Sequence, residues 1–206
     1  MRGHPGDFRV FAPDPSGRTV YAAGAIGVTV LLMLLATAGV AVAWEEPLTL
    51  GTVPARIDIP RIGTHAEIAP LGLEDDGAMA APVDPDTVGW WQDGPGLGGQ
   101  GNMLLDGHVD WGGRLRVFGL LKQLREGDLI HVTDTDGNTA TYAVMWTRLY
   151  EADTAPLDEI FPTTPEERLT LITCGGEFDS SIRMYLSRWV VRAEPLAQTD
   201  RGQDAE

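Results

Sequence analysis

The chain has one cysteine, Cys174, in 206 residues. A single thiol closes no intramolecular disulfide and supplies no Cys-x-x-Cys metal site, so stability has to come from packing. Positive charge is also scarce. Fifteen lysines and arginines stand against 30 aspartates and glutamates, and Lys122 is the only lysine. A formal net charge of -15 argues against nucleic acid as a partner, because phosphate binding needs a basic surface. The same acidity repels anionic lipid headgroups. Sequence repeats are missing, which sets aside solenoids and propellers. Hydrophobic residues make up 43% and charged residues 22%, ordinary for a globular chain and enough for a real core.

Residues 20–44, VYAAGAIGVTVLLMLLATAGVAVAW, carry no charge. As a helix they reach about 37 Å at about 1.5 Å per residue, enough to cross a bilayer core. Arg2, Arg9 and Arg18 precede the run, with Asp7 and Asp14, and Glu45 and Glu46 follow it. That basic bias predicts a cytoplasmic N-terminus and an extracytoplasmic C-terminal domain. Ala41 and Ala43 make an A-x-A pattern like that of a cleaved signal, but the apolar run exceeds the about 7 to 15 residues of a signal core. The expectation is a retained single-pass anchor in the cell membrane.

Around this span the chain divides into a cytoplasmic tail over 1–19, the anchor over 20–44, a linker over 45–53, a folded domain over 54–196 and a polar tail over 197–206. Within the domain, ARIDIP (55–60) and THAEIAPLGL (64–73) read as strands. Glycines crowd GPGLGGQG (94–101), a mobile or tightly folded loop before the apolar NMLLDGHVD (102–110). LRVFGLLKQLREGD (115–128) has apolar residues at helical spacing and predicts a short helix closing on Gly127. LIHVTD and TATYAVMWTRLY flank a hairpin signal at Asp136-Gly137. Residues 151–168, with three prolines and several acids, read as a long loop with a single helical turn. LTLITC and MYLSRWVVRAE read as strands joined across the nine-residue GGEFDSSIR. Many short strands with one or two helical turns predict a mainly β domain, a closed or partly open barrel.

The chemistry gathers on three residues. A thiol attacks only as thiolate, and needs an imidazole, a cation or backbone dipoles to become one. His4 lies in the tail, and His65 and His131 sit within strand alternation. His108, in LLDGHVDWGG, follows an apolar strand and a glycine at a strand end where side chains meet loops. Arg188, in YLSRWVV, shares a strand face with Leu186 and Val190, where a cation is costly unless it has a role or a partner. Each alone has a plain structural reading: Cys174 as a small buried hydrophobe, His108 as a solvated or capping loop residue, Arg188 as a snorkelling strand residue. Gly175 and Gly176 predict that the backbone leaves the strand sharply and leaves the thiol uncrowded. Asp75, Asp76, Asp134 and Asp136 read as solvated turns, and no metal or other cofactor is called for.

TLITC (170–174), SRWVV (187–191) and GHVD (107–110), in this order of His, Cys and Arg, resemble the sortase signature. The resemblance covers about residues 54 to 195. IDIPRIG, LGLEDDGAMAAP, VGWW and GHVDWGG are most similar to class F sortases, with Asp106 standing where a small or apolar residue is commoner. The resemblance implies a barrel of about eight strands and a cysteine transpeptidase that cleaves an LPxTG-like sorting signal between threonine and glycine. Cys174 then matches the nucleophile that forms a thioester, His108 the acid and then base, and Arg188 the cation that holds the signal and the oxyanion. Thr173, Ile160 and Phe161 are candidate substrate-binding residues, the last two as an apolar wall for the signal's leucine and proline. The implied partners are surface proteins bearing such a signal and an amine acceptor, a cell-wall precursor or pilin. An anchor would raise the effective concentration of an enzyme and substrate on one surface.

Two other classes remain open at this stage. An L,D-transpeptidase places its cysteine in a Ser-His-Gly-Cys context, absent here, and wall-remodelling cysteine peptidases have cysteine before histidine. A non-catalytic anchored β-domain for binding or scaffolding would leave Cys174 inert.

Overall fold

The computed structural model describes residues 49–75 and 79–196. The expected anchor, the N-terminal tail and the polar C-terminal tail lie outside the described residues. Among those described, no helix is long and apolar enough to cross a membrane.

Alternation builds the first strands. In β1 (Pro54–Ile59) Ile57 and Ile59 turn inward while Arg56 and Asp58 face out. β2 (Thr64–Leu71) repeats the pattern with Ala66 and Ile68 buried against exposed His65 and Glu67. β3 (Val88–Trp91), β4 (Asn102–Asp106), β7 (Leu129–Asp134), β8 (Thr139–Glu151), β9 (Arg168–Asp179) and β10 (Met184–Pro195) complete a closed barrel in the order β1-β2-β3-β4-β9-β10-β8-β7. β5 (Asp110–Trp111) and β6 (Arg114–Leu115) form a separate small ribbon. Closure leaves no open sheet edge.

The unbroken apolar run in β9 has a cause. β4 and β9 pair in parallel, and Leu169 to Gly175 are buried on both faces of the strand. Inward-facing Leu169 and Leu171 join the barrel core with Met103, Leu105, Val191 and Tyr142. Outward-facing Ile172 joins a second apolar cluster with Leu104, Val190, Ile160 and Met79. This second cluster lies on the outside of the barrel.

Several expectations change. The helix over 115–128 is only a 3-10 turn at Leu121–Gln123, although Phe118, Leu121 and Leu124 are buried as the spacing requires. A spacing of three fits the tighter 3-10 geometry, and at Gly119 the chain folds so closely that a Cβ would sit 2.7 Å from the Val109 carbonyl oxygen. The glycine-rich loop is tightly folded. Leu97 and Thr52 exchange backbone hydrogen bonds of 2.8 and 2.9 Å, and Gly96 donates to Leu50, so residues 49–52 of the expected linker run along it. The long loop does contain one helical turn, α1 (Leu157–Ile160).

Candidate active site

Cys174 on β9 and Arg188 on β10 are direct cross-strand partners. Opposed residues in an antiparallel pair project to the same face, so thiol and guanidinium share the outer face with Ile172 and Val190. The expected sharp exit at the glycines does not occur. β9 continues to Asp179, with a register shift that sets Gly175 opposite Ser187 and Phe178 opposite Tyr185. This is a β-bulge, and Gly176 enables it: its φ is +74°, and a Cβ there would lie 2.3 Å from Ser187 Oγ. The thiol is not uncrowded either. Trp189 covers Gly175, and Cys174 is only 6% exposed.

The bulge gives Arg188 its partners. Its Nη1 donates to the carbonyls of Tyr185 at 2.8 Å and of Ser187 at 2.9 Å. A buried arginine is thereby tolerated on an apolar face, because its charge is met by aligned peptide dipoles.

His108 arrives from β4. Asp106 registers with Ile172, the Gly107 amide donates to the Ile172 carbonyl at 3.2 Å, and Thr173 Oγ1 donates to the Gly107 carbonyl at 2.7 Å. Two residues on from that parallel pair come His108 on one chain and Cys174 on the other. The imidazole Nε2 lies 2.9 Å from the Pro82 carbonyl oxygen, and its ring packs edge-on to Trp111 at 5.2 Å. A carbonyl accepts only, so Nε2 carries the proton and Nδ1 holds the lone pair in the neutral ring.

Charge states follow from burial. Burial pushes the Cys174 thiol up to about 11; Arg188 opposes this, and Asp106 and Asp110 add to it. Burial also lowers the His108 pKa, aided by Arg116 and opposed by the Pro82 bond and Asp110. The resting pair is therefore a neutral thiol and a neutral imidazole. The Tyr185 hydroxyl donates to Asp110 Oδ2 at 3.0 Å at the rim.

The three candidate substrate-binding residues divide. Ile160 is fully buried in the outer cluster with Phe161 packed beside it, so the two form an apolar wall against Ile172 and Val190. Thr173 points the other way, into the barrel, with its hydroxyl engaged on Gly107. Neighbours in a strand alternate faces, so Thr173 positions the chain leading to His108 and is turned away from the face that carries Cys174. Residues missed by sequence reasoning hold the wall in place. Arg192 Nη2 donates to the carbonyls of Glu159 and Ile160, both at 2.9 Å, and Asn102 Nδ2 donates to the latter at 3.3 Å. Arg192 lies four residues after Arg188 on the same strand face, so the argument that singled out Arg188 applies equally to it. His65 pairs with Asp58, and His131 bonds Thr141, both away from the residues of that face in sequence and strand register.

The sortase domain family model matches residues 57–196. The chain belongs to the sortase family. It is accordingly a sortase-type cysteine transpeptidase. Among solved structures, a lid mutant of sortase A from Corynebacterium diphtheriae is 23% identical, with 74% of this chain and 72% of that chain covered and a TM-score of 0.53. Streptococcus agalactiae sortase C1 in complex with MTSET is 19% identical, with coverage of 72% and 69% and a TM-score of 0.55. Sortase C-1 from Actinomyces oris is 24% identical, with coverage of 69% and 71% and a TM-score of 0.53. These likenesses concern the fold. No curated protein matches the chain.

Proposed function

We propose that this sortase cleaves an LPxTG-like sorting signal through a Cys174 thioester and transfers the signal-bearing surface protein to an amine. The acceptor is a cell-wall precursor or pilin. The observation that supports the reading best is the cross-strand pairing of Cys174 with Arg188 on an apolar outer face, beside the segment after β4 that carries His108.

In the first step Cys174 Sγ gives its proton to the imidazole and attacks the threonine carbonyl carbon. The oxyanion forms beside the Arg188 guanidinium, which cannot lose its proton and so suits charge stabilisation. The threonine–glycine C–N bond breaks, and His108 protonates the departing amine. In the second step an incoming amine loses a proton to His108 and attacks the thioester carbon. The C–S bond breaks, an amide forms and the thiol is restored. Ile160 and Phe161 contact the signal's apolar side chains.

The motifs IDIPRIG, LGLEDDGAMAAP, VGWW and GHVDWGG support a class F assignment. The apolar run 20–44 supports a single-pass anchor with the catalytic domain outside the cell. The test incubates the purified chain with a Leu-Pro-Ala-Thr-Gly peptide and triglycine. The expected result is a transpeptidation product and a Cys174-linked acyl intermediate by mass spectrometry, both lost in Cys174→Ala. Product formation by that variant would refute the mechanism.

A further inference from the structure

Asp106 is a polar group on the same outer face for which the reaction above has no use. It ends β4 on the outer face with Asn102 and Leu104 and is fully buried. Neither carboxyl oxygen has a hydrogen-bond partner among the described residues. Buried polar atoms are nearly always satisfied, so an orphaned carboxyl calls for a ligand. Burial holds this one well above the usual carboxylate range, opposed only by its own peptide N–H. Burial thus favours its protonated form, which has one donor and spare acceptor capacity.

The surroundings are shaped around that carboxyl. Gly89 on β3 is its antiparallel partner. A Cβ at Gly89 would sit 2.3 Å from Asp106 Oδ1 and 2.3 Å from Leu71 Cδ1, so glycine leaves the room and Leu71 closes over the same spot. On its other side Asp106 registers with Ile172, two residues before Cys174. At about 3.3 Å per residue that is about 7 Å along the strand, the span of two residues of extended peptide.

We propose that Asp106 is a specificity-determining residue whose carboxyl hydrogen-bonds a backbone amide of the bound peptide, about two residues upstream of the carbonyl attacked by Cys174, when Leu71 turns aside. This rests on the peptide-transfer reading above. Leu104, Ile172, Val190 and Ile160 recognise only apolar shape, which discriminates weakly. A buried carboxyl penalises any ligand that leaves it unpaired.

The experiment compares the full chain with Asp106→Asn and Asp106→Leu, the latter close in shape but unable to hydrogen-bond. The probes are a fluorogenic Leu-Pro-Ala-Thr-Gly peptide and analogues with the Pro–Ala or Ala–Thr amide replaced by an ester. In the unaltered protein one ester is expected to raise KM roughly tenfold, the scale of one lost hydrogen bond. Asp106→Leu is expected to raise KM for the all-amide peptide by a similar factor and to lose sensitivity to the ester, while Asp106→Asn keeps the ester penalty. Iodoacetamide labelling of Cys174 and the melting midpoint are expected not to fall in Asp106→Leu, since an orphaned polar group has been removed. An ester penalty that persists in Asp106→Leu, no ester effect on a peptide that is cleaved, or thiol labelling that falls in step with activity would each overturn the inference and leave the transpeptidase reading standing. Failure of the unaltered protein to cleave any LPxTG-like peptide overturns both.

Discussion

Cys174 and Arg188 face each other across β9 and β10, and the guanidinium is held there by the carbonyls of Tyr185 and Ser187 at the neighbouring bulge. The cation is in place before any substrate arrives, and it opposes the burial that pushes the thiol upward. The site is therefore organised to stabilise charge that appears during reaction rather than to hold a thiolate at rest.

Thiol labelling should report this directly. Iodoacetamide reacts with the thiolate, so the labelling rate of Cys174 is expected to keep rising with pH until about 11. Arg188 favours the charged form, so Arg188→Ala is expected to shift that profile to higher pH and slow labelling at pH 8. A plateau below pH 8 in the unaltered protein would contradict the neutral resting state.

Arg188→Lys keeps the charge but loses the planar fork that binds backbone carbonyls and presents further N–H groups to an oxyanion. Turnover is expected to fall roughly 100-fold, in the range measured for loss of one oxyanion donor, with the circular dichroism spectrum retained. Near-normal turnover would mean that charge alone suffices.

The bulge is testable at Gly176. Alanine there must adopt a φ of +74° and approach Ser187 Oγ. A cost of about 1–2 kcal/mol in chemical denaturation is expected, together with reduced acylation as the Arg188 supports shift. Gly98, also at positive φ but with open space around it, is a control for backbone strain without the collision.

Arg192 ties the α1 segment to the barrel through the carbonyls of Glu159 and Ile160. Arg192→Leu removes both bonds, with an expected loss of about 1–3 kcal/mol, while Asn102 still donates to the Ile160 carbonyl. Limited proteolysis should cut faster within 151–168, and KM for peptide should rise more than kcat falls.

Acid stability has a named contributor. Asp134 accepts from the Asn138 side chain and from Thr52, and from the amides of Asn138 and Asp136, which lowers its pKa to about 2. A depressed folded pKa stabilises the fold fully above the unfolded carboxyl value of about 3.9. That contribution is lost as pH falls from there toward 2. Asp134→Asn is expected to flatten the melting-temperature profile between pH 4 and 2 and to lower the midpoint at pH 7.

Much of this was legible in residue order. ARIDIP alternates because one face of β1 meets the core, and Asp136-Gly137 marks the β7–β8 hairpin, where residues 135–138 connect the strands and Gly137 takes a φ of +88°. Arg188 stood out because a cation on an apolar face requires a partner. The helix expected over 115–128 failed because a spacing of three apolar residues suits a 3-10 turn as well, and at Gly119 the chain meets Val109, ten residues upstream, as well as its own neighbours Leu115 and Arg116. Thr173 was assigned to substrate because it adjoins the thiol in sequence, yet a strand sends neighbours to opposite faces.

From its composition and patterning alone, the chain was committed to a disulfide-free, acidic, mainly β domain with one thiol, a histidine at a strand end and arginines on an apolar strand face. Only the folded barrel decided that β9 pairs with both β4 and β10, which sets Cys174 opposite Arg188 and brings the segment after β4, with His108, alongside β9, from parts of the chain up to 80 residues apart. Pairing partners and bulges depend on backbone hydrogen bonds between distant segments, and every residue type offers the same backbone groups, so residue identity carries little record of them.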